Sequence, residues 1–192
     1  MAVNLENYIP ALQYNGLNSA KSGTLSGNIT FSGTNTFSGT TSFTGAVTQK
    51  AAVISGQGAT ATLTAAQSGS VCLFDRPAGI VYTLPAPAVG LTFSFVATAS
   101  VTSNSYKVIT DAGTTFLIGS VNSIDTDSTN ALAAYTGNGS THIALTQAAA
   151  SSNATGGLQG SIVTFTCVSS TLWEVSGTIQ AAGSPATPFA TS

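Results

Sequence analysis

The sequence predicts an all-β protein with a short N-terminal arm, a repetitive β stalk and a β-sandwich or jelly-roll-like head. Three observations predict it. Charged residues make up 5% of the 192-residue chain and hydrophobic residues 43%, where soluble domains average roughly 25% charged. The polar surface is therefore built from Ser, Thr, Asn, Gln and Gly, a composition that suits strands and turns and lacks the Lys, Glu and Arg of free-standing helices. Residues 24–48 place every bulky apolar side chain at an odd position. The rest of the chain breaks into short Val-, Ile-, Phe- and Thr-rich runs separated by turn signals.

The arm, residues 1–21, carries Leu5, Tyr8, Ile9, Leu12, Tyr14 and Leu17 at irregular spacing, with Pro10 limiting any helix. So many Leu, Ile and Tyr in a terminal segment predict that it docks on a partner.

The stalk, residues 22–49, is the most informative stretch. Its even positions from Thr24 to Thr48 are small and polar except Ala46, while Leu25, Ile29, Phe31, Phe37, Phe43 and Val47 stand at odd positions. A period of two marks an extended strand with one wet and one dry face. Leu25, Phe31, Phe37 and Phe43 recur at a spacing of six, and Gly27, Gly33, Gly39 and Gly45 recur at the same spacing two residues later. The unit reads Phe-Ser-Gly-Thr-x-x, and internal repeats of this kind mark fibrous or solenoid architecture. A single strand has nothing to bury these rings against, and no second copy of the repeat occurs in the chain. The expected partner is the same segment of another subunit, with Gly beside each Phe leaving room for it.

The head, residues 50–180, is expected to hold strands near 59–63, 70–74, 80–84, 91–97, 106–110, 115–118, 142–146, 161–168 and 172–176. Leu91, Phe93, Phe95 and Ala97 share one face of theirs. Turns are marked by Asp75-Arg76-Pro77-Ala78-Gly79, Pro85-Ala86-Pro87, Asp111-Ala112-Gly113, Asn138-Gly139 and Gly156-Gly157. Residues 181–192 read as a flexible tail.

The same composition excludes several functions. Four basic residues and a net charge of -2 offer no patch for a phosphate backbone, so nucleic acid is not an expected partner. No apolar run approaches the roughly 20 residues that span a bilayer, and the first 18 residues lack a basic region followed by an apolar one, so no membrane role and synthesis in a cytosol are expected. Cys72 and Cys167 sit in apolar runs, which predicts buried free thiols, with a disulfide only if their strands are neighbours. Two Cys and one His do not make a zinc site, and no cofactor is expected.

Catalysis needs convergent titratable groups. His142 stands alone in an alternating run and reads as a surface or turn-end residue; Asp125 and Asp127 read as a solvated loop rather than a cation site; Glu174 lacks an evident second carboxylate for glycoside hydrolysis. No enzyme is expected. Asp75 and Arg76 are expected to pair or to brace the turn before Pro77.

The repeat from Ser22 to Gly45 resembles repeats in bacteriophage fibre and head-decoration proteins. The head is similar to a domain common in phage structural proteins, through Gly79-Ile-Val-Tyr-Thr-Leu-Pro-Ala86, Gly90-Leu-Thr-Phe-Ser-Phe-Val96 and Leu172-Trp-Glu-Val-Ser-Gly177. The resemblance covers about residues 22–178. It implies a homotrimeric virion-surface protein, made in the bacterial cytoplasm, with no catalytic residues. The trimer core would be Leu25, Ile29, Phe31, Phe37, Phe43 and Val47, spaced by Gly27, Gly33, Gly39 and Gly45. The arm would anchor it on the major capsid protein or another shell protein through Leu5, Tyr8, Ile9, Leu12, Tyr14 and Leu17. The short arm favours the head surface. The alternative is a tail fibre or tail-spike-like adhesin, whose head would bind host glycans in a groove lined by Tyr82, Tyr106, Tyr135 or Trp173, although a buried core is the stronger expectation for Trp173.

Overall fold

The structure is a computed structural model that describes residues 40, 42, 44–47, 50–127, 132–146 and 154–191. The arm residues Leu5, Tyr8, Ile9, Leu12, Tyr14 and Leu17 lie outside the described residues, as do Leu25, Gly27, Ile29, Phe31, Gly33, Phe37, Gly39 and Phe43 of the repeat. Backbone contacts divide the chain into two units, Met1–Thr48 and Gln49–Ser192. In the first, residues 44–47 are exposed and form no ladder within the single chain. The second holds all of the described strands.

Among its described residues this unit holds twelve strands, one short 3-10 turn, Ala65–Gln67, and no α-helix. The strands are β1 (Val53–Ile54), β2 (Thr60–Thr62), β3 (Ser70–Phe74), β4 (Ile80–Thr83), β5 (Thr92–Ala97) and β6 (Tyr106–Ile109). They continue as β7 (Phe116–Asp125), β8 (Leu132–Thr136), β9 (His142–Leu145), β10 (Ile162–Cys167), β11 (Leu172–Ala181) and β12 (Phe189–Ala190). One sheet has seven strands in the order β1-β3-β5-β10-β11-β7-β8; the other has five, in the order β12-β9-β6-β4-β2.

From β1 to β6 the chain changes sheet with every strand. β1, β3 and β5 are parallel neighbours in the larger sheet, and β2, β4 and β6 are parallel neighbours in the smaller. Parallel strands need a long crossover. Here each crossover is a strand of the opposite sheet, so this half winds like a flattened solenoid. The second half closes the winding mainly with antiparallel pairs: β10 against β5 and β11, β9 against β6, and β8 against β7. β7 and β11 are the exception, running parallel over ten register pairs. This mixture departs from an antiparallel jelly roll. No six-residue repeat announces this winding in the 49–192 unit.

Alternation decides which side chains meet. On β5 Phe93, Phe95 and Ala97 are buried, and on β10 Val163, Phe165 and Cys167 are buried. The register sets Phe95 opposite Val163 and Phe93 opposite Phe165, so both strands bury the same side. Rings from both sheets meet there. Phe74 stacks on Tyr106 with centroids 4.7 Å apart and on Phe95 at 5.6 Å. Tyr82 and Phe165 meet Phe95 edge-on at 5.3 and 5.5 Å. The buried phenols are satisfied, Tyr82 Oη donating to Leu73 O and Tyr106 Oη to Ala99 O, each at 3.0 Å. Each fully buried side chain of this size contributes roughly 1.5–3 kcal/mol, and the offset and edge-on ring pairs add to that.

Residues 181–191 depart from the expected flexible tail. Ala181 ends β11 fully buried, and β12 pairs with β9, placing Phe189 in the core at 9% exposure. Asp127 Oδ2 accepts the Gly183 N–H at 2.8 Å, and Ala154 and residues 184–186 exchange backbone bonds of 2.8 and 2.9 Å. One Phe with an apolar seat, its ring close against Gly137, outweighs a composition of Ala, Ser, Gly and Pro.

Cys72 and Cys167 are free and buried, on strands separated by β5. Burial pushes the Cys72 thiol up to about 12 and also raises that of Cys167. Since only the thiolate reacts quickly, Ellman's reagent at about pH 8 is expected to leave the native protein untouched. In denaturant it should titrate two thiols per chain. Rapid native reaction would show that the core opens locally.

Candidate functional site

A cavity lies on the outer side of the smaller sheet, built by β6, β9 and the loop that follows β6. Tyr106 and Val108 of β6 point into the core, so Lys107 and Ile109 point outward. In the antiparallel register Ile109 lies opposite His142, and Lys107 opposite Ala144. Directly opposed residues share a face, which puts His142 on the outer side too.

His142 is nevertheless only 6% exposed. The loop Thr110–Gly113 forms the other wall of a cavity of about 310 Å³, floored by His142, Ile109 and Lys107. Three bonds hold the loop. Thr110 N–H donates to Thr141 O at 3.0 Å, Thr115 N–H to Ala112 O at 3.1 Å, and Thr110 Oγ1 to Ala112 O at 3.1 Å. Thr141 N–H in turn donates to Ala190 O of β12 at 3.0 Å, so the C-terminal strand supports the floor. Asp111 stands exposed at the rim. The sequence marked Asp111-Ala112-Gly113 as a turn and His142 as a lone surface or turn-end residue. The structure corrects the second reading: His142 starts β9, as a turn-end residue would, but it is buried, between Ile109 of β6 on one side and Ala190 of β12 on the other.

Burial, and secondarily the Lys107 ammonium, lower the His142 pKa below its ordinary 6.5. The imidazole is therefore neutral at neutral pH. The unfolded chain takes up a proton near pH 6.5 and the folded chain only below that, so stability is full above this range and declines as pH falls through it. Between about pH 7 and 5 no other side-chain type titrates at its ordinary pKa, and His142 is the sole histidine. His142→Gln is expected to flatten the pH dependence of the urea midpoint over that interval. An unchanged slope would remove His142 as its source.

The other residues singled out from the sequence are dispersed. Tyr82, Tyr106 and Trp173 are fully buried, and Tyr135 is half-buried against the core. This corrects the expectation of a glycan groove lined by these rings: alternation turns Tyr82 inward with Ile80, and Trp173 inward with Val175. Asp75 and Arg76 brace separate turns. Asp75 Oδ2 accepts the Gly56 N–H and Arg76 Nη1 donates to Gly79 O, both at 2.6 Å. Asp125 Oδ1 accepts the Asp127 N–H at 3.1 Å, and among the described residues no three His, Cys, Asp or Glu stand together as a metal site. Glu174 projects from the outer face of β11. Val47 is 62% exposed, and a Cβ added at Gly45 would meet nothing within 4 Å.

Searches of protein-family models, curated proteins and solved structures find no match to the chain.

Proposed function

We propose that this chain is a structural virion protein, a homotrimeric decoration (cement) or fibre protein held on the outside of a bacteriophage capsid by its N-terminal arm. One observation carries the reading: the strict alternation of residues 24–48, with Leu25, Phe31, Phe37 and Phe43 at a spacing of six. The rings of that stretch need a partner, and a second copy of the same chain supplies it in register. Burial of the repeat between subunits couples its folding to association. The near absence of charge, 5% of the chain, suits a permanent interface. A stable all-β unit after the repeat matches a small head on a stalk.

Phe37→Asp is expected to reduce the species from three times the 19.0 kDa chain to a monomer, read by light scattering after size exclusion. A trimer that survives the substitution would sink the stalk model. Placement is tested by adding the purified protein to phage heads and tails that lack it and imaging both. Regularly spaced density on the shell supports decoration. Density confined to the tail replaces that reading with the tail-fibre adhesin.

A further inference from the structure

We propose that the apolar corner of the larger sheet beside β1 is covered by a second copy of this chain. The inference rests on the assembly proposed above, and adds to it the surface of the 49–192 unit that the copies bury against one another.

The corner follows from register. Val53 of β1, Val71 and Leu73 of β3, Val96 of β5 and Ile162 of β10 alternate with core residues and so point away from the core. Val53 stands opposite Val71, and Leu73, Val96 and Ile162 form one row across three strands. Five apolar side chains thus lie together over four adjacent strands. Val53 is 60% exposed and Ile162 46%. Single exposed apolar residues are ordinary, whereas a contiguous group marks an interaction surface. Charge points the same way. Among the described residues the strands of this sheet turn one ionisable side chain outward, Glu174, and it lies in neither row. The outer side of the smaller sheet, by contrast, carries Lys107 and His142. A face without charge suits a partner that is itself nearly without charge, and this chain, 5% charged, is one.

The chain that leads into β1 selects the occupant. Val47, the last apolar residue of the repeat, precedes Val53 by six residues. At about 3.6 Å per residue that link spans at most about 22 Å. Where the repeats of several copies meet, β1 of each copy is therefore held within that reach of the shared stalk. β1 and β8 are opposite edges of the seven-stranded sheet, six strand spacings or roughly 29 Å apart. The link draws the β1 corner towards the other copies, and not the β8 edge, where Leu132 is 69% exposed.

The test uses the full-length chain carrying Val53→Cys or Ile162→Cys, with Val89→Cys as the reference. Cys72 and Cys167 are buried, so a maleimide reads the introduced thiol. In the single chain the three sites are 60%, 46% and 74% exposed, which is within a factor of two. In the trimer, identified by light scattering, Val53→Cys and Ile162→Cys are expected to react at least about tenfold more slowly than Val89→Cys. Adding Phe37→Asp, which separates the copies, is expected to raise both rates to that of the reference. Fast labelling of both sites in an intact trimer overturns the inference and leaves the assembly standing. Slow labelling that persists in the monomer also overturns it, because the cover then belongs to the same chain. A monomer before any substitution in the repeat removes the assembly, and this inference with it.

Discussion

Phe95→Ala is expected to lower the stability of the 49–192 unit by about 3–5 kcal/mol, the range for deleting a buried aromatic ring. Phe95 has zero exposure and touches three other rings: Phe74, Tyr82 and Phe165. These belong to β3, β4 and β10, so the ring ties the parallel winding of the first half to the antiparallel strands of the second. Its neighbours on β3, β5 and β10 are held by ladder bonds and cannot collapse far into the space left behind. At this chain length the loss corresponds to a fall of roughly 10–20 °C in thermal midpoint. Val89→Ala serves as the control, since Val89 is 74% exposed and its truncation is expected to change little. A loss below about 1 kcal/mol for Phe95→Ala would mean that the core repacks around the vacancy, contrary to its role as the hub.

Gly119→Ala is expected to be nearly as damaging, by a different mechanism. Gly119 sits within β7 at φ +94, and a Cβ there would lie 2.3 Å from Val175 O on β11. That oxygen is backbone in a strand paired with β7 over ten positions, so it cannot swing away. The substitution must open the β7–β11 ladder or force the residue from its backbone well, at a cost of at least about 3 kcal/mol once strain of roughly 1–3 kcal/mol is added to lost pairing. Gly90 separates the two contributions. It has nearly the same φ, +92, but a Cβ there meets nothing within 4 Å. Gly90→Ala is expected to cost only the backbone strain, about 1–2 kcal/mol. The difference between the two variants in urea melts measures the close approach itself, and equal losses would show that strain alone accounts for Gly119. Gly177 makes the matching approach on the other side of β11, where a Cβ would lie 2.2 Å from Ile162 O. The central strand is thus held close to both neighbours by glycine.

Strand positions were largely legible. The runs at 70–74, 80–84, 91–97, 106–110, 142–146 and 161–168 correspond to β3, β4, β5, β6, β9 and β10 within two residues at either end, because β-branched and aromatic residues alternate there. Sequence reading missed β1, β8 and β12, cut β7 to its first three residues and cut β11 to half its length. The reasons are local. β8 reads Leu-Ala-Ala-Tyr-Thr, and alanine carries little strand preference. β7 and β11 are interrupted by Gly119 and Gly177, which read as breaks where the structure uses them for close contact. β1 and β12 are two residues each and exist only because a neighbour offers an edge.

The candidate site was less legible. His142 and the Asp111-Ala112-Gly113 turn were both noticed, 29 positions apart from Gly113 to His142, but nothing in either segment says that the two line one cavity. The turn lies beside His142 only because β6 and β9 pair, with Ile109 opposite His142. A turn signal flanked by Lys107 and followed by a lone buried-strand histidine was the available clue, and it has no periodicity to recommend it.

By itself the sequence determined the all-β class, which side of most strands faces inward and the buried thiols. Each of these follows from local chemistry: charge content, a period of two, and cysteines set in apolar runs. Only the tertiary structure decided the parallel winding of the first six strands, the mixed sheets, the docking of Phe189 and the burial of His142. Alternation tells a strand which face to bury but not which strand lies beside it. That choice depends on how all the inward faces fill one shared core, and no local stretch of sequence carries it.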